Sequence, residues 1–385
     1  MRQFFTDSEN RQAIGIALFS ATGSFPLHVA PLLIATLISS RTISNAEAAG
    51  LVSYIMAGQL LAAFLSTKIA FERLNRSALA LAFAIYTGAI LLTAWTTSMV
   101  LFAPAWFVTG LTSGFLMQLG IVTAAKSKIK MRAFAYRLSF ALFFSGLIAF
   151  FLFLSGQNPG YGQLISIYLL VLLFVFLAGF LAWKNPTAHN AGTPANPAPN
   201  LVALDVIGLA MLLLFFAGQI GFQANAVHFT SGNNMLLGDT ALAIGMSKIS
   251  ISLVVLALAV RGGDNSWLKQ FIYSFALAAS AILISTQTTL LMLIIAFTSF
   301  ELFINLTSAG FMASLSERLS ERAKTRLLVA TLLGVLGGPP LTGSLIDGSF
   351  YTLPIFLAVC SAFIPLLWQF YGRSAATTGR NRLVS

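Results

Sequence analysis

About twelve long, strongly apolar runs, nearly free of charge, follow one another along this chain. An α-helix of about 20 apolar residues crosses the hydrocarbon of a bilayer. No water is available there, so every backbone N–H and C=O must be satisfied within the protein. Only helices or a closed barrel meet that condition. These runs are long and continuous rather than short and alternating, which excludes the barrel. Composition agrees: 57% of residues are hydrophobic and 9% charged, against about 25% charged in a soluble domain. The mean hydropathy is +0.86. The fold class is an all-α polytopic membrane protein, and the lipid bilayer is its first partner.

The runs fall into two groups of six. The first group covers roughly residues 12–38, 49–67, 78–97, 99–123, 136–155 and 161–183. The second covers roughly 202–228, 239–260, 268–286, 289–312, 327–347 and 351–371. Residues 184–200 separate them, a polar stretch with Pro186, Pro194, Pro197 and Pro199. Proline lacks the amide proton and clashes with the preceding helical turn, and polar, proline-rich chain cannot bury enough apolar surface to order itself. The expected organisation is an N-terminal half at 1–183, a linker at 184–200 and a C-terminal half at 201–385.

The net charge of +11 suggests nucleic acid until the charges are placed. Lys68, Glu72, Arg73 and Arg76 lie between the second and third runs. Lys126, Lys128, Lys130, Arg132 and Arg137 are counted with the loop between the fourth and fifth. Arg318, Arg322, Lys324 and Arg326 lie between the tenth and eleventh. Alternate loops are basic, whereas the opposite set holds only Arg41. This is the positive-inside pattern. It predicts cytoplasmic termini and linker, a bacterial-type plasma (inner) membrane, and no nucleic-acid partner. The first run lacks a small-residue cleavage site, so Ile14 onward is expected to be a permanent span. Cys360 excludes an intrachain disulfide by being the single cysteine, and it is expected to be a packing residue.

Six plus six spans with a cytoplasmic linker resemble the major facilitator superfamily of secondary transporters. The local feature that carries the resemblance is the loop between the second and third spans. The superfamily pattern there is Gly, three residues, then Asp-Arg-x-Gly-Arg-Arg. This chain has Glu72, Arg73, Leu74, Asn75 and Arg76, with Lys68 in place of the leading glycine. Asn75 replaces the turn glycine, and asparagine tolerates the left-handed backbone. The resemblance implies that Glu72, Arg73 and Arg76 form a conformational latch; plain loop basicity is the alternative. Gln219 and Gln223 partly echo the sugar-porter pattern in the seventh span. The fifth span lacks the proline common in antiporters of the superfamily. Gly334, Gly337, Gly338, Pro339, Pro340 and Gly343 mark the eleventh as a bending span.

An ionisable group inside a span is costly and reads first as functional. Lys248 lies about 13 Å into the eighth span at 1.5 Å per residue, sharing a face with Gly245 and Ser252. It attracts an anion or pairs structurally with a carboxylate. Glu301 belongs to a polar stripe with Thr298, Asn305 and Ser308, and is the candidate proton carrier; a helix–helix hydrogen bond is the plainer role. His28 follows Ser20 and Ser24 at helical spacing between Pro26 and Pro31, where a broken helix offers a midplane site; a packing histidine is the alternative. His228 is expected at the membrane interface, and Asp205, Asp239 and Asp347 at span ends. The candidate substrate-binding set is Lys248, His28, Gln219, Gln223 and Asn305. No catalytic residues, metal ligands or cofactors are expected, so the chain is not expected to be an enzyme.

The expected function is proton-coupled transport of a small anionic or amphoteric solute by a monomer through alternating access, with H+ as the coupling ion. Efflux of hydrophobic drug-like compounds is the alternative. A non-transporting sensor or assembly partner of the same fold is the alternative of another class. The topology has a direct check. In a Cys360→Ser background, Asn196→Cys should react with an impermeant maleimide only from the cytoplasmic side, and Asn233→Cys only from the opposite side. Labelling of both from one side would refute the two-group arrangement.

Overall fold

The computed structural model describes residues 8–41, 43–66, 76–96, 98–126, 130–182, 203–261, 267–320, 323 and 326–370. Among the described residues there are fourteen helices and no strand. In the first group they are α1 (Ser8–His28), α2 (Ala30–Arg41), α3 (Asn45–Ser66), α4 (Arg76–Trp95), α5 (Met99–Lys126), α6 (Lys130–Leu154) and α7 (Tyr161–Ala182). In the second they are α8 (Ala203–Ala224), α9 (Ala226–Gly232), α10 (Leu237–Arg261), α11 (Trp267–Thr286), α12 (Leu290–Arg318), α13 (Leu327–Asp347) and α14 (Thr352–Ala362). Eleven helices can each cross a membrane by length and composition, the last counted as Thr352–Phe370 because helix resumes at 364–370 after α14, and α1 with α2 makes a twelfth as one bent span. The expected linker and the latch residues Glu72 and Arg73 lie outside the described residues. Arg76 opens α4 with its guanidinium 5.4 Å from the centroid of Phe180, a cation–π contact.

Three spans depart from straight helices, each for an identifiable reason. The first bends by 46° between α1 and α2, at the His28 break that Pro26 and Pro31 anticipate. The seventh was expected to run unbroken through 228. It stops instead at Asn225, whose side chain donates to Gly221 O at 3.0 Å and Pro339 O at 3.2 Å. A side chain able to replace backbone hydrogen bonds makes such a break tolerable in a membrane. His228 therefore rides on the short α9, its ring stacked on Tyr351 with centroids 5.7 Å apart. The eleventh span stays continuous through Pro339 and Pro340. Pro340 cannot donate to the carbonyl of Leu336 four residues back, and Ser53 Oγ from α3 donates to that oxygen at 3.0 Å instead.

The two groups meet mainly along two helix pairs, α6 against α10 and α3 against α13. At the first pair, a methyl at Gly245 would lie 2.9 Å from the Phe150 nitrogen and 3.0 Å from Gly146 O. At the second, Gly343 passes Asn45 so closely that a methyl would sit 2.8 Å from its carbonyl oxygen. Lipid removes the hydrophobic drive between helices, so close backbone packing of this kind carries association. Polar bonds complete the seam on the face opposite the basic loops. Asp347 accepts from the Asn45 backbone N–H at 3.1 Å, its Nδ2 at 2.9 Å and the Ala46 N–H at 2.7 Å. Gly238 N–H donates to Gln157 O at 2.8 Å. Asp205 serves a similar end-holding role within the second group, accepting from Ser320 N–H at 2.9 Å and its hydroxyl at 2.7 Å. Asp239 sits in the first turn of α10, where a carboxylate suits the helix dipole. Cys360 was expected to pack inside and is instead exposed on α14.

The glycine contacts give a clean comparison. Gly245→Ala should lower the thermal stability of the purified protein measurably, since overpacking costs about 1–3 kcal/mol. Gly88→Ala, where a methyl meets nothing within 4 Å, should leave it unchanged or raised. Equal melting temperatures for the two variants would show that α6 and α10 separate at no cost.

Candidate functional site

Lys248 lies on α10 and Glu301 on α12, with 1% and 3% of their surfaces exposed. The two form an ion pair through Lys248 Nζ and Glu301 Oε1. Gln223 of α8 donates its Nε2 to the same oxygen at 2.7 Å. Three helices of the second group thus converge on one carboxylate oxygen. Asn305, one turn beyond Glu301, turns back and donates its Nδ2 to the Glu301 carbonyl at 2.6 Å. It supports the backbone of that turn rather than the carboxylate. The rest of the stripe, Thr298 and Ser308, is half-buried.

The helix that carries Lys248 also meets the first group. Lys248 lies between two contacts of α10 with α6: Gly245 above, packed on Gly146 and Phe150, and Ser252 one turn below, whose carbonyl accepts from Ser139 Oγ at 2.8 Å. Gly245 and Ser252 of the face read in the sequence therefore meet α6, together with Ile249 packed on Gly146, while Lys248 turns to Glu301. His28 ends α1 at its break, and the charges of Lys248 and Arg137 both act on it. Gln219 is not part of this gathering. It is fully buried, donating to Ala358 O at 2.6 Å and Ser361 Oγ at 2.9 Å, which ties α8 to α14.

Arg137 is the residue that sequence reading misplaced. It was counted with the basic loop although the fifth run, 136–155, includes it, and it belongs to α6, inside the membrane-length stretch Ala133–Leu154. Its Nε donates to Ser20 Oγ of α1 at 2.7 Å. The available signal was the apolar run that opens at Ala133 and continues on both sides of the arginine. Among the described residues, no group of three or more His, Cys, Asp or Glu side chains is arranged to hold a metal.

The whole chain is similar in structure to two solved transporters. One is the POT family transporter PepTSo, determined in meso, at 14% identity and a TM-score of 0.67 over 95% of this chain and 98% of that one. The other is an auto-inhibited POT family peptide transporter, at 13% identity and a TM-score of 0.63 over 94% and 97%. No protein-family model matches the chain, and no curated protein matches it. The likeness shows the fold, a bundle of membrane-length helices like that of these two transporters.

A buried ion pair has a recognisable energetic signature. Removing one partner leaves an uncompensated charge, at a cost of about 3–5 kcal/mol, whereas replacing both by apolar groups is often near neutral. Lys248→Met and Glu301→Met should each destabilise the protein, and the double variant should recover most of the loss. Additive losses in a thermal-melt cycle would show that the two charges are not coupled.

Proposed function

We propose that the chain is a secondary transporter of a small carboxylate-bearing or amphoteric solute, coupled to protons, in which residues 1–183 and 201–385 rock about a site near Lys248 and Glu301. The observation that carries this reading is the buried Lys248–Glu301 pair, held by Gln223. A purely structural pair would serve anywhere in the bundle. This one is carried by helices of the second group, one of which, α10, packs directly on α6 of the first. The fold's transporter neighbours support the same reading over an enzymatic one.

The chemistry follows from charge. Neutral as a pair, Lys248 and Glu301 can reside in the bilayer interior, where either alone is expensive. An anion that engages Lys248 leaves the carboxylate unpaired, and a proton on Glu301 restores neutrality. By linkage, substrate and proton each favour the other's binding. The unit that crosses is then anion plus proton. Gln223 remains as a hydrogen-bond donor to the carboxyl oxygen when Lys248 turns to substrate, and His28 lies within reach of the same field.

The test is uptake into proteoliposomes with and without an inward proton gradient. The substrate is chosen first by thermal-shift screening of monocarboxylates, dicarboxylates, amino acids and short peptides, since a ligand that binds the native state raises its stability. Glu301→Gln should bind and exchange substrate but fail to accumulate it against a gradient, and Lys248→Ala should bind at least about tenfold more weakly. Uphill, pH-driven accumulation by a folded Glu301→Gln protein would refute the coupling role, and unchanged affinity in Lys248→Ala would make the lysine structural.

A further inference from the structure

We infer that Arg137 is a second anion-binding group, a specificity determinant that grips a carboxylate of the substrate from the first six spans while Lys248 faces it from the last six. This rests on the transport reading above and adds to it the chemistry of the substrate's recognised end.

The argument starts from an imbalance of charge. Arg137 and Lys248 are cations on the two helices that join the groups, Arg137 near the start of the membrane-length stretch Ala133–Leu154 and Lys248 in the middle of Leu237–Ala257, where Glu301 pairs with it. That carboxylate is already committed to Lys248 and Gln223. Arg137 has a hydrogen bond to Ser20 and, among the described residues, no carboxylate partner. Its charge is therefore unmatched by a carboxylate among the described residues, and its part-exposed side chain is open to an anion. Asp205, Asp239 and Asp347 cannot supply the balance, because they sit at helix ends, and Asp205 and Asp347 are occupied by Ser320 and by Asn45 with Ala46.

Geometry places this unmatched charge where a substrate of the proposed kind would lie. Ser139, two residues beyond Arg137 on α6, bonds the carbonyl of Ser252, one turn beyond Lys248 on α10. The two helices run antiparallel, so Arg137 lies to one side of this bond and Lys248 to the other, about 9 Å apart along the axis at a rise of about 1.5 Å per residue. His28 lies close enough for both charges to act on it, beneath the larger effect of its own burial. Ser20, Ser24 and His28 form a line along α1, running from the arginine to the helix break.

The arginine is also braced. Nε is held by Ser20 Oγ, whose hydroxyl in turn donates to Met117 O at 3.2 Å. Ser20 fits there because residue 120 is glycine; a methyl at Gly120 would lie 2.1 Å from Ser20 Cβ. With Nε fixed by Ser20, the two terminal nitrogens keep their donor hydrogens in a planar fork. A guanidinium fork matches a carboxylate through two parallel hydrogen bonds, a geometry that a lysine cannot reproduce. One unmatched positive charge matches one carboxylate.

The experiment uses the full-length protein purified in detergent and screened by thermal shift against sodium succinate, alanine, dialanine and sodium chloride at equal concentrations. At least one carboxylate should stabilise the wild type beyond chloride. Arg137→Gln should abolish that shift, Arg137→Lys should weaken binding about tenfold or more although charge is kept, and Ser20→Ala should weaken it by a smaller factor. Size-exclusion profile and helical circular dichroism establish that each variant is folded, and Arg137→Lys keeps the test valid if the glutamine variant is not. The inference is overturned by wild-type affinity in a folded Arg137→Lys protein, by a chloride shift equal to that of every carboxylate, or by no carboxylate shift in the wild type. The two claims separate cleanly. A carboxylate that binds through Arg137 but is not taken up by proteoliposomes leaves this inference standing and sinks the transport reading. A solute whose uptake needs Lys248 but ignores Arg137 does the reverse.

Discussion

The Lys248–Glu301 pair is the constraint to which the rest of the bundle answers. Charge inside hydrocarbon survives only when it is compensated, and compensation here draws on three helices, since Gln223 joins the two ions on one carboxylate oxygen. The sequence positions involved are far apart, and the partner of Glu301 is brought to it only because α8, α10 and α12 pack as one body. Once the pair is formed, its surroundings are fixed in turn. Gly245 must stay a glycine for α10 to lie against α6, and Ser252 must present its carbonyl to Ser139. A site beside the interface between two bodies is then a consequence of satisfying a single ion.

The same interface shows how backbone defects become joints. Pro340 leaves the Leu336 carbonyl without its helical donor, and Ser53 of the other group supplies one. Within the second group, Asn225 breaks the seventh span and bonds the carbonyl of Pro339. Asp347 reaches across to the amides at the start of α3, where the free N–H groups of a helix terminus favour a carboxylate. Each link is a hydrogen bond between groups that water could satisfy equally well once exposed. Opening this face exchanges them for hydration at small net cost, since a typical hydrogen bond contributes only about 0.5–1.5 kcal/mol. Glycine contacts such as Gly343 on Asn45 hold by shape instead, and they are lost together when the helices part. A seam built this way favours two discrete arrangements over a continuum, as packed interfaces generally do.

Span number, span limits and the bend at His28 were legible in the sequence because they follow from local rules: apolar length, the placement of basic loops, and proline's missing donor. The depth of Lys248 and the polar stripe through Glu301 were legible for the same reason, as costly residues at countable positions. What could not be read was partnership. Gln219 and Gln223 lie one turn apart on α8 and look equivalent in sequence, yet one ties α8 to α14 and the other holds the carboxylate. Asn225 gave no warning that it would end a helix, because the carbonyl that rewards the break belongs to Pro339, more than a hundred residues away. Arg137 was counted with the basic loop although the fifth run, 136–155, includes it, because charge alone assigns an arginine to a loop and does not show the serine on another helix that holds it.

That misreading also shows what separates Arg137 from the basic residues near it. Loop lysines and arginines gain by hydration and are exchangeable for one another in setting topology. Arg137 is part-buried against α1, where Ser20 satisfies a single donor of its five. Lys248 is repaid in full by a carboxylate. The difference makes the two cations unequal in an empty site: one is neutralised and quiet, the other is held in position with its charge unmatched. On the transport reading proposed above, an incoming anion would meet Arg137 first and only then compete for the lysine, at which point Glu301 would require a proton. In that reading the order of events follows from which charge is left uncompensated, with no added conformational signal to link anion to proton.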